Sequence, residues 1–133
     1  MQVQTMQNNS RDAMAKAGFK AADNILSAWN CTASQAQNIL KLTKTTYHKF
    51  KANPDTVKLS DDQLERISYL LNIHQALRIV FSNPANVKGF MQMKNHNDFF
   101  AGRTPLEIIQ DGKFGDLYEV AKRVDALRGG LWG

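Results

Sequence analysis

The stretch TASQAQNILKLTKTTYHKFK, residues 32–51, decides the fold. Thr32 and Gln35 have the form of a capping box, in which the N-cap hydroxyl and the N3 side chain satisfy free amides of a first helical turn. Ala36, Ile39 and Leu40 then supply a short buried stripe. The break at Lys41-Leu42-Thr43 is brief, and a second helix opens at Lys44. Two short helices across so tight a turn predict a helix-turn-helix. In such a unit the second helix turns one face to the core and offers the other to the major groove. Tyr47 and Phe50, with Leu42 from the turn, hold the inward spacing. Lys44, Thr45, His48 and Lys49 face outward, Thr46 lies at the edge, and Lys41 and Lys51 stand at the ends. These seven are the candidate DNA-contacting residues. Lysines supply salt-sensitive phosphate contacts, and Thr or His near a helix start reach base edges or phosphates. The segment has no Arg, the commonest bidentate reader of guanine, so strong base specificity is not expected.

Working outward, residues 1–11 are polar and are expected to form a loose N-terminal tail. From Asp12 to Asn30, Met14, Ala17, Phe19, Ala22, Ile25, Leu26 and Trp29 recur at helical steps, with Gly18 as an expected break between a short and a longer helix. Asn53-Pro54 ends the second helix of the pair, because proline disfavours helical geometry in the residue before it. Ser60 and Gln63 form another capping box and open a helix through Phe81. Its main stripe is Leu64, Ile67, Leu70, Leu71, His74, Leu77, Val80 and Phe81, while Ile73, Ala76 and Ile79 add apolar groups on other faces, the pattern of a central strut. Asn83-Pro84 starts a helix ending near Asn95, and Thr104-Pro105-Leu106-Glu107 starts a shorter one stopped at Asp111-Gly112. Phe114, Leu117, Tyr118, Ala121, Val124 and Leu127 carry the last helix to Gly129-Gly130. No segment reads as a strand, so the expected class is all-α: a helix-turn-helix domain over residues 12–58, then a small helical domain with its strut over residues 59–133.

Composition narrows the function. The chain has 133 residues, enough for one compact domain or two small ones sharing a core, and too few for a large cofactor-dependent enzyme. No apolar run is long enough to span a bilayer, no secretory leader is evident, and the expected compartment is the cytoplasm. Cys31 is the only cysteine, which excludes an intramolecular disulfide or a thiolate cluster. The net charge of +5 is lopsided: residues 1–58 hold eight basic against three acidic side chains, whereas residues 59–133 hold nine of each. A polyanion partner is therefore expected for the first half and a different partner for the second. His48, His74 and His96 lack metal-ligand spacing, Cys31 lacks an ordered His and Asp, and no glycine-rich phosphate loop precedes a helix. Neither a catalytic residue, a metal site, a cofactor nor an enzymatic activity is expected.

Several blocks in order resemble one family. Trp29-Asn30-Cys31-Thr32, Ile39-Leu40, Thr43-Lys44-Thr45-Thr46-Tyr47-His48-Lys49-Phe50 and Leu59 to Ser68 resemble the helix-turn-helix of Xre/ParS/MbcA antitoxins. Asn83-Pro84, Gly102-Arg103-Thr104-Pro105-Leu106-Glu107, Gly112 and the segment from Leu117-Tyr118 to Arg128-Gly129-Gly130 resemble their toxin-binding domain. Two positions depart from the pattern: Lys41 stands where the family has a turn glycine, and Phe50 where it has Trp. The resemblance implies a type II antitoxin paired with a RES-domain toxin that consumes NAD⁺ or uses it to modify a target. The antitoxin would cover the toxin's active-site entrance and, as a homodimer within a larger complex, bind operator DNA and repress its own operon. NAD⁺ would be the toxin's substrate and not a cofactor of this chain.

The residues of the second half offer contacts for such a partner. Arg103, Lys122, Arg123 and Arg128 can meet acidic or phosphate-like groups around a nucleotide pocket, or be ordinary solvated charge. Gly130, Leu131, Trp132 and Gly133 place a large aromatic on a glycine-flanked end, which either enters a cleft of the toxin or folds back on the last helix. The competing class is a helix-turn-helix repressor whose C-terminal half binds a small ligand or only dimerises.

Overall fold

The computed structural model describes residues 2–129, with side chains from residue 9 onward. Its α-helices are α1 (Gln2–Ala28), α2 (Ala33–Leu40), α3 (Lys44–Ala52), α4 (Asp61–Val80), α5 (Pro84–Met91), α6 (Pro105–Ile109) and α7 (Phe114–Ala126). Short 3-10 turns follow α3 at Pro54–Thr56 and α7 at Leu127–Gly129. The protein is all-α, a helix-turn-helix half followed by a smaller helical half. Among the described residues the one pairing of extended backbone is an antiparallel bridge between Asn95 and Arg103.

Local chemistry sets most helix ends. Capping boxes form at Thr32 with Gln35, Ser60 with Gln63 and Thr104 with Glu107, each pairing two otherwise orphaned amides. Asn83 caps α5 by accepting from the Ala85 amide, with Pro84 at the first position. α1 and α2 stop in the same way. Asn30 (φ 67°) and Lys41 (φ 57°) take left-handed backbone, and the amides of Cys31 and Leu42 return to the carbonyls of Leu26 and Gln37, each at 2.9 Å.

One continuous core runs from Ala15 in α1 to Val124 in α7, with Trp29, Leu70, Ile73, Leu77, Phe100 and Val120 out of solvent. α4 is the strut, packed chiefly against α7 and α1. Arg11 ties α1 to the start of α4 through the Leu59 carbonyl at 3.2 Å and Asp61 at 2.7 Å, and Lys16 pairs with Asp55 at 2.7 Å.

Four expectations need correcting. Residues 2–11 continue α1 and are not a loose tail. No proline interrupts them, Gln and Met are adequate helix formers, and extending a helix from a packed segment is far easier than nucleating one. Gly18 does not break α1; it lies against α4, where a Cβ would meet Ile67 at an ordinary contact distance of 3.5 Å. On α4, Leu71 and Ile79 are on the outer face, 37% and 59% exposed, while Ile73 and Ala76 are buried. α5 ends at Met91, short of Asn95, and the loop behind it is anchored where Gln92 donates to the Trp29 carbonyl at 2.7 Å. His74 lies beside Trp29 with ring centroids 6.5 Å apart, and its buried Nδ1 has no partner among the described residues. Burial first, and then Arg78, hold its pKa below the ordinary value.

Candidate functional site

The α2–α3 turn presents α3 by a few fixed bonds. Thr43 caps α3, its hydroxyl accepting from the Thr46 amide at 3.2 Å and lying 2.9 Å from the Thr46 hydroxyl. Tyr47 and Phe50 are buried against Phe19 of α1, with centroid distances of 6.1 and 5.6 Å. The Tyr47 hydroxyl donates to Asp23 at 2.5 Å. Burial, and then that carboxylate, push the phenol well above its ordinary pKa, so it remains a donor.

With that face held inward, Lys44, Thr45, His48 and Lys49 stand together in solvent at three- and four-residue steps. The other three DNA-contacting candidates are placed differently. The Thr46 hydroxyl is engaged in the cap. Lys51 turns back toward α1, 3.6 Å from Asp23 and 5.3 Å above the Tyr47 ring. Lys41 reaches toward the α6–α7 turn, its Nζ 3.1 Å from where a Gly112 side chain would begin and within the field of Asp111.

The turn that presents α3 is also bonded to the second half. Gln63 of the α4 capping box donates to the Lys41 carbonyl at 2.9 Å, and Gln35 donates to Gln110 at 2.6 Å. Arg66, 5% exposed, lies at the junction. Its guanidinium donates to the Gly112 carbonyl at 2.8 Å, to the Ile39 carbonyl at 3.4 Å and to Asp62 at 2.8 Å, and lies 5.6 Å from the Phe114 ring centre. Gly112 is the counterpart: with φ at +77°, a Cβ there would lie 2.7 Å from the Asn38 carbonyl oxygen. Only glycine lets the α6–α7 turn approach the end of α2 this closely.

The structure separates the candidate toxin contacts. Arg103 donates to the Phe100 and Phe99 carbonyls at 2.9 and 2.7 Å, closing the loop before α6. Arg103 and Arg123 both lie on the Phe99 ring, 5.7 and 4.6 Å from its centre, and Arg123 pairs with Glu119 at 3.5 Å. Lys122 and Arg128 instead line a groove of about 370 Å³ between α4 and α7, shared with Tyr69, Asn72, Gln75 and Tyr118. Arg128 pairs with Asp125 there at 3.0 Å. Gly130, Leu131, Trp132 and Gly133 lie outside the described residues.

Sequence reasoning did not single out Tyr69, Asn72, Gln75 or Tyr118 as site residues. The signal was available on α4, where Asn72 and Gln75 share a face that the core does not use. Among the described residues no three His, Cys, Asp or Glu side chains come together to hold a metal ion. No described helix is long and apolar enough to cross a membrane.

Comparison with known proteins fits this division of the chain. Residues 10–72 match the antitoxin Xre-like helix-turn-helix domain, and residues 76–130 match the antitoxin Xre/MbcA/ParS C-terminal toxin-binding domain. The chain is also 32% identical over 123 residues to the uncharacterized protein y4oB of Sinorhizobium fredii, covering 92% of each. With helix-turn-helix and toxin-binding domain in the family's order on one strut, the chain belongs to the Xre/MbcA/ParS antitoxins.

Proposed function

We propose that this antitoxin belongs to a type II pair whose toxin is a RES-domain protein acting on NAD⁺, and that it neutralises that toxin by covering its active site. In the cytoplasm, as a homodimer within the toxin complex, it also binds its own operator and represses the operon. The chain contributes no catalytic step and takes no cofactor; NAD⁺ is the toxin's substrate. Lys44, Thr45, His48 and Lys49 form the DNA face. Lys41, Thr46 and Lys51 support it from the turn, the cap and the α1 side. Paired half-sites on an operator suit a two-fold dimer.

The observation that carries this reading is the double role of α4. Its Gln63 and Arg66 bond the end of α2 and the α2–α3 turn, while its middle turns, through Tyr69, Asn72 and Gln75, frame a groove against α7. Two binding functions on one continuous core favour a repressor that also holds a protein partner. The toxin contact is assigned to the α7 side through Lys122 and Arg128, with residues 130–133 adding to it. Arg103 and Arg123 lie instead on the Phe99 ring, outside that groove.

The test is capture of this protein from its native cells, with the copurifying chain assayed for NAD⁺ loss before and after the antitoxin is removed. The expected result is a partner that consumes NAD⁺ only once released. Recovery of promoter DNA with no protein partner would contradict the reading and leave a plain repressor.

A further inference from the structure

The groove between α4 and α7 has features that ordinary helix packing does not need. Tyr118 is 42% exposed, yet its ring is fixed by an edge contact to Tyr69 at 5.8 Å and 90°. Tyr69 is fixed in turn against Phe114 at 5.6 Å and 77°. An exposed aromatic already held in one orientation loses little freedom on being covered, which is how interface anchors gain affinity. Beside it, Asn72, Gln75 and Lys122 have no hydrogen-bond or ion-pair partner among the described residues. This contrasts with Arg103 and Arg123, whose guanidinium groups are occupied by carbonyls, a carboxylate and a ring within their own half.

The apolar surface continues past the groove. Leu71, Gln75 and Ile79 follow four-residue steps along the outer face of α4, so the two exposed aliphatic residues flank the groove's amide. Charge completes the pattern. Arg128 is balanced by Asp125, which leaves Lys122 as the groove's uncompensated cation.

We infer that this groove is the toxin's docking surface, and that the toxin segment seated in it carries an apolar side chain against Tyr118 and a carboxylate against Lys122. The inference rests on the toxin-binding reading above and specifies where that contact is made. It draws α4 into the interface, so the surface crosses the boundary between the two family domains. The side-chain amides of Asn72 and Gln75 then meet the segment's backbone, the usual way a groove fixes the register of a peptide.

The experiment is calorimetric titration of the purified cognate toxin with the full chain and with its Tyr118→Ala and Lys122→Glu variants, thermal melting serving as the control for folding. Tyr118→Ala is expected to weaken binding by about 30-fold or more, as loss of a central aromatic anchor does. Lys122→Glu is expected to weaken it by about tenfold at low salt, with a smaller effect at high salt. If the full chain binds and both variants bind within about twofold of it, the groove assignment is overturned while toxin binding stands. Tighter binding by Lys122→Glu would overturn the acidic partner segment. Failure of the full chain itself to bind would overturn the underlying reading.

Discussion

The two halves of the molecule use positive charge in opposite ways. In residues 1–58, seven of the eight cations are lysines, and on α3 Lys44 and Lys49 stand outward beside Thr45 and His48. In residues 59–133, five of nine are arginines, and three of these are tied to groups of the fold itself, Arg66 buried, Arg123 half-buried and Arg103 at the surface. Arg66 bonds two carbonyls and a carboxylate, Arg103 closes a loop through two carbonyls, and Arg123 lies on a ring. The planar guanidinium, with its fixed fork of donors, can hold several backbone groups at once, whereas an ammonium on a flexible stem is suited to a diffuse polyanion. Net charge alone therefore misleads: the neutral half has one more cation than the basic half, but a large share are structural.

The comparison breaks first at the junction between the halves. Gly112→Ala is expected to cost about 3 kcal/mol or more in chemical denaturation, because the methyl group meets a backbone oxygen and the residue must hold left-handed geometry. A loss below about 1 kcal/mol would mean that the α6–α7 turn does not press on α2 as described. Arg66→Lys keeps the charge and loses the fork, and is expected to cost about 2 kcal/mol, since buried carbonyls lose their donors. The opposite exchange on the DNA face, Lys44→Arg, is expected to stay within about 0.5 kcal/mol of the parent. Equal effects of the two exchanges would erase the distinction between an arginine bonded into the fold and an outward lysine.

Two smaller effects sharpen it. Lys41→Gly is expected to raise stability by about 0.5–1 kcal/mol, the left-handed strain relieved exceeding the entropy that glycine adds to the unfolded chain. An unchanged or lower stability would show that the Lys41 side chain contributes more than its backbone costs. The smallest effect concerns His74. Its folded pKa lies below its ordinary value, so the unfolded chain takes up the proton first as pH falls. Stability is expected to be complete above the ordinary histidine pKa and to decline as pH drops through the folded value. Urea unfolding at pH 7.5 and 5.5 should show a smaller difference for His74→Gln than for the parent.

The parts of the fold legible in the sequence are those governed by short-range chemistry. Thr32 with Gln35, Ser60 with Gln63 and Thr104 with Glu107 satisfy amides three residues apart, so their bonds are written in the local sequence. The inward placement of Tyr47 and Phe50 followed from helical spacing in the same way. What was not legible depends on partners far along the chain. Arg66 meets carbonyls 27 and 46 residues away, and the Phe99 ring collects Arg103 and Arg123 from different elements. Periodicity counted Leu71 among the core residues because it records which residues share a face but not whether anything covers that face. Lys41 and Lys51, read as extensions of the DNA face, follow the α6–α7 turn and Asp23 instead, contacts that spacing on α3 does not encode.

The central claim is that one core carries two separable binding surfaces. The most direct measurement titrates the double variant Lys44→Ala with Lys49→Ala against operator DNA at several salt concentrations and, separately, against the toxin. DNA affinity is expected to fall by about tenfold or more, and the slope of its logarithm against log salt to decrease by about 2, while toxin affinity stays within about twofold of the parent. Equal loss of both activities would contradict the account, showing that α3 supports the whole structure and is not a surface for reading DNA.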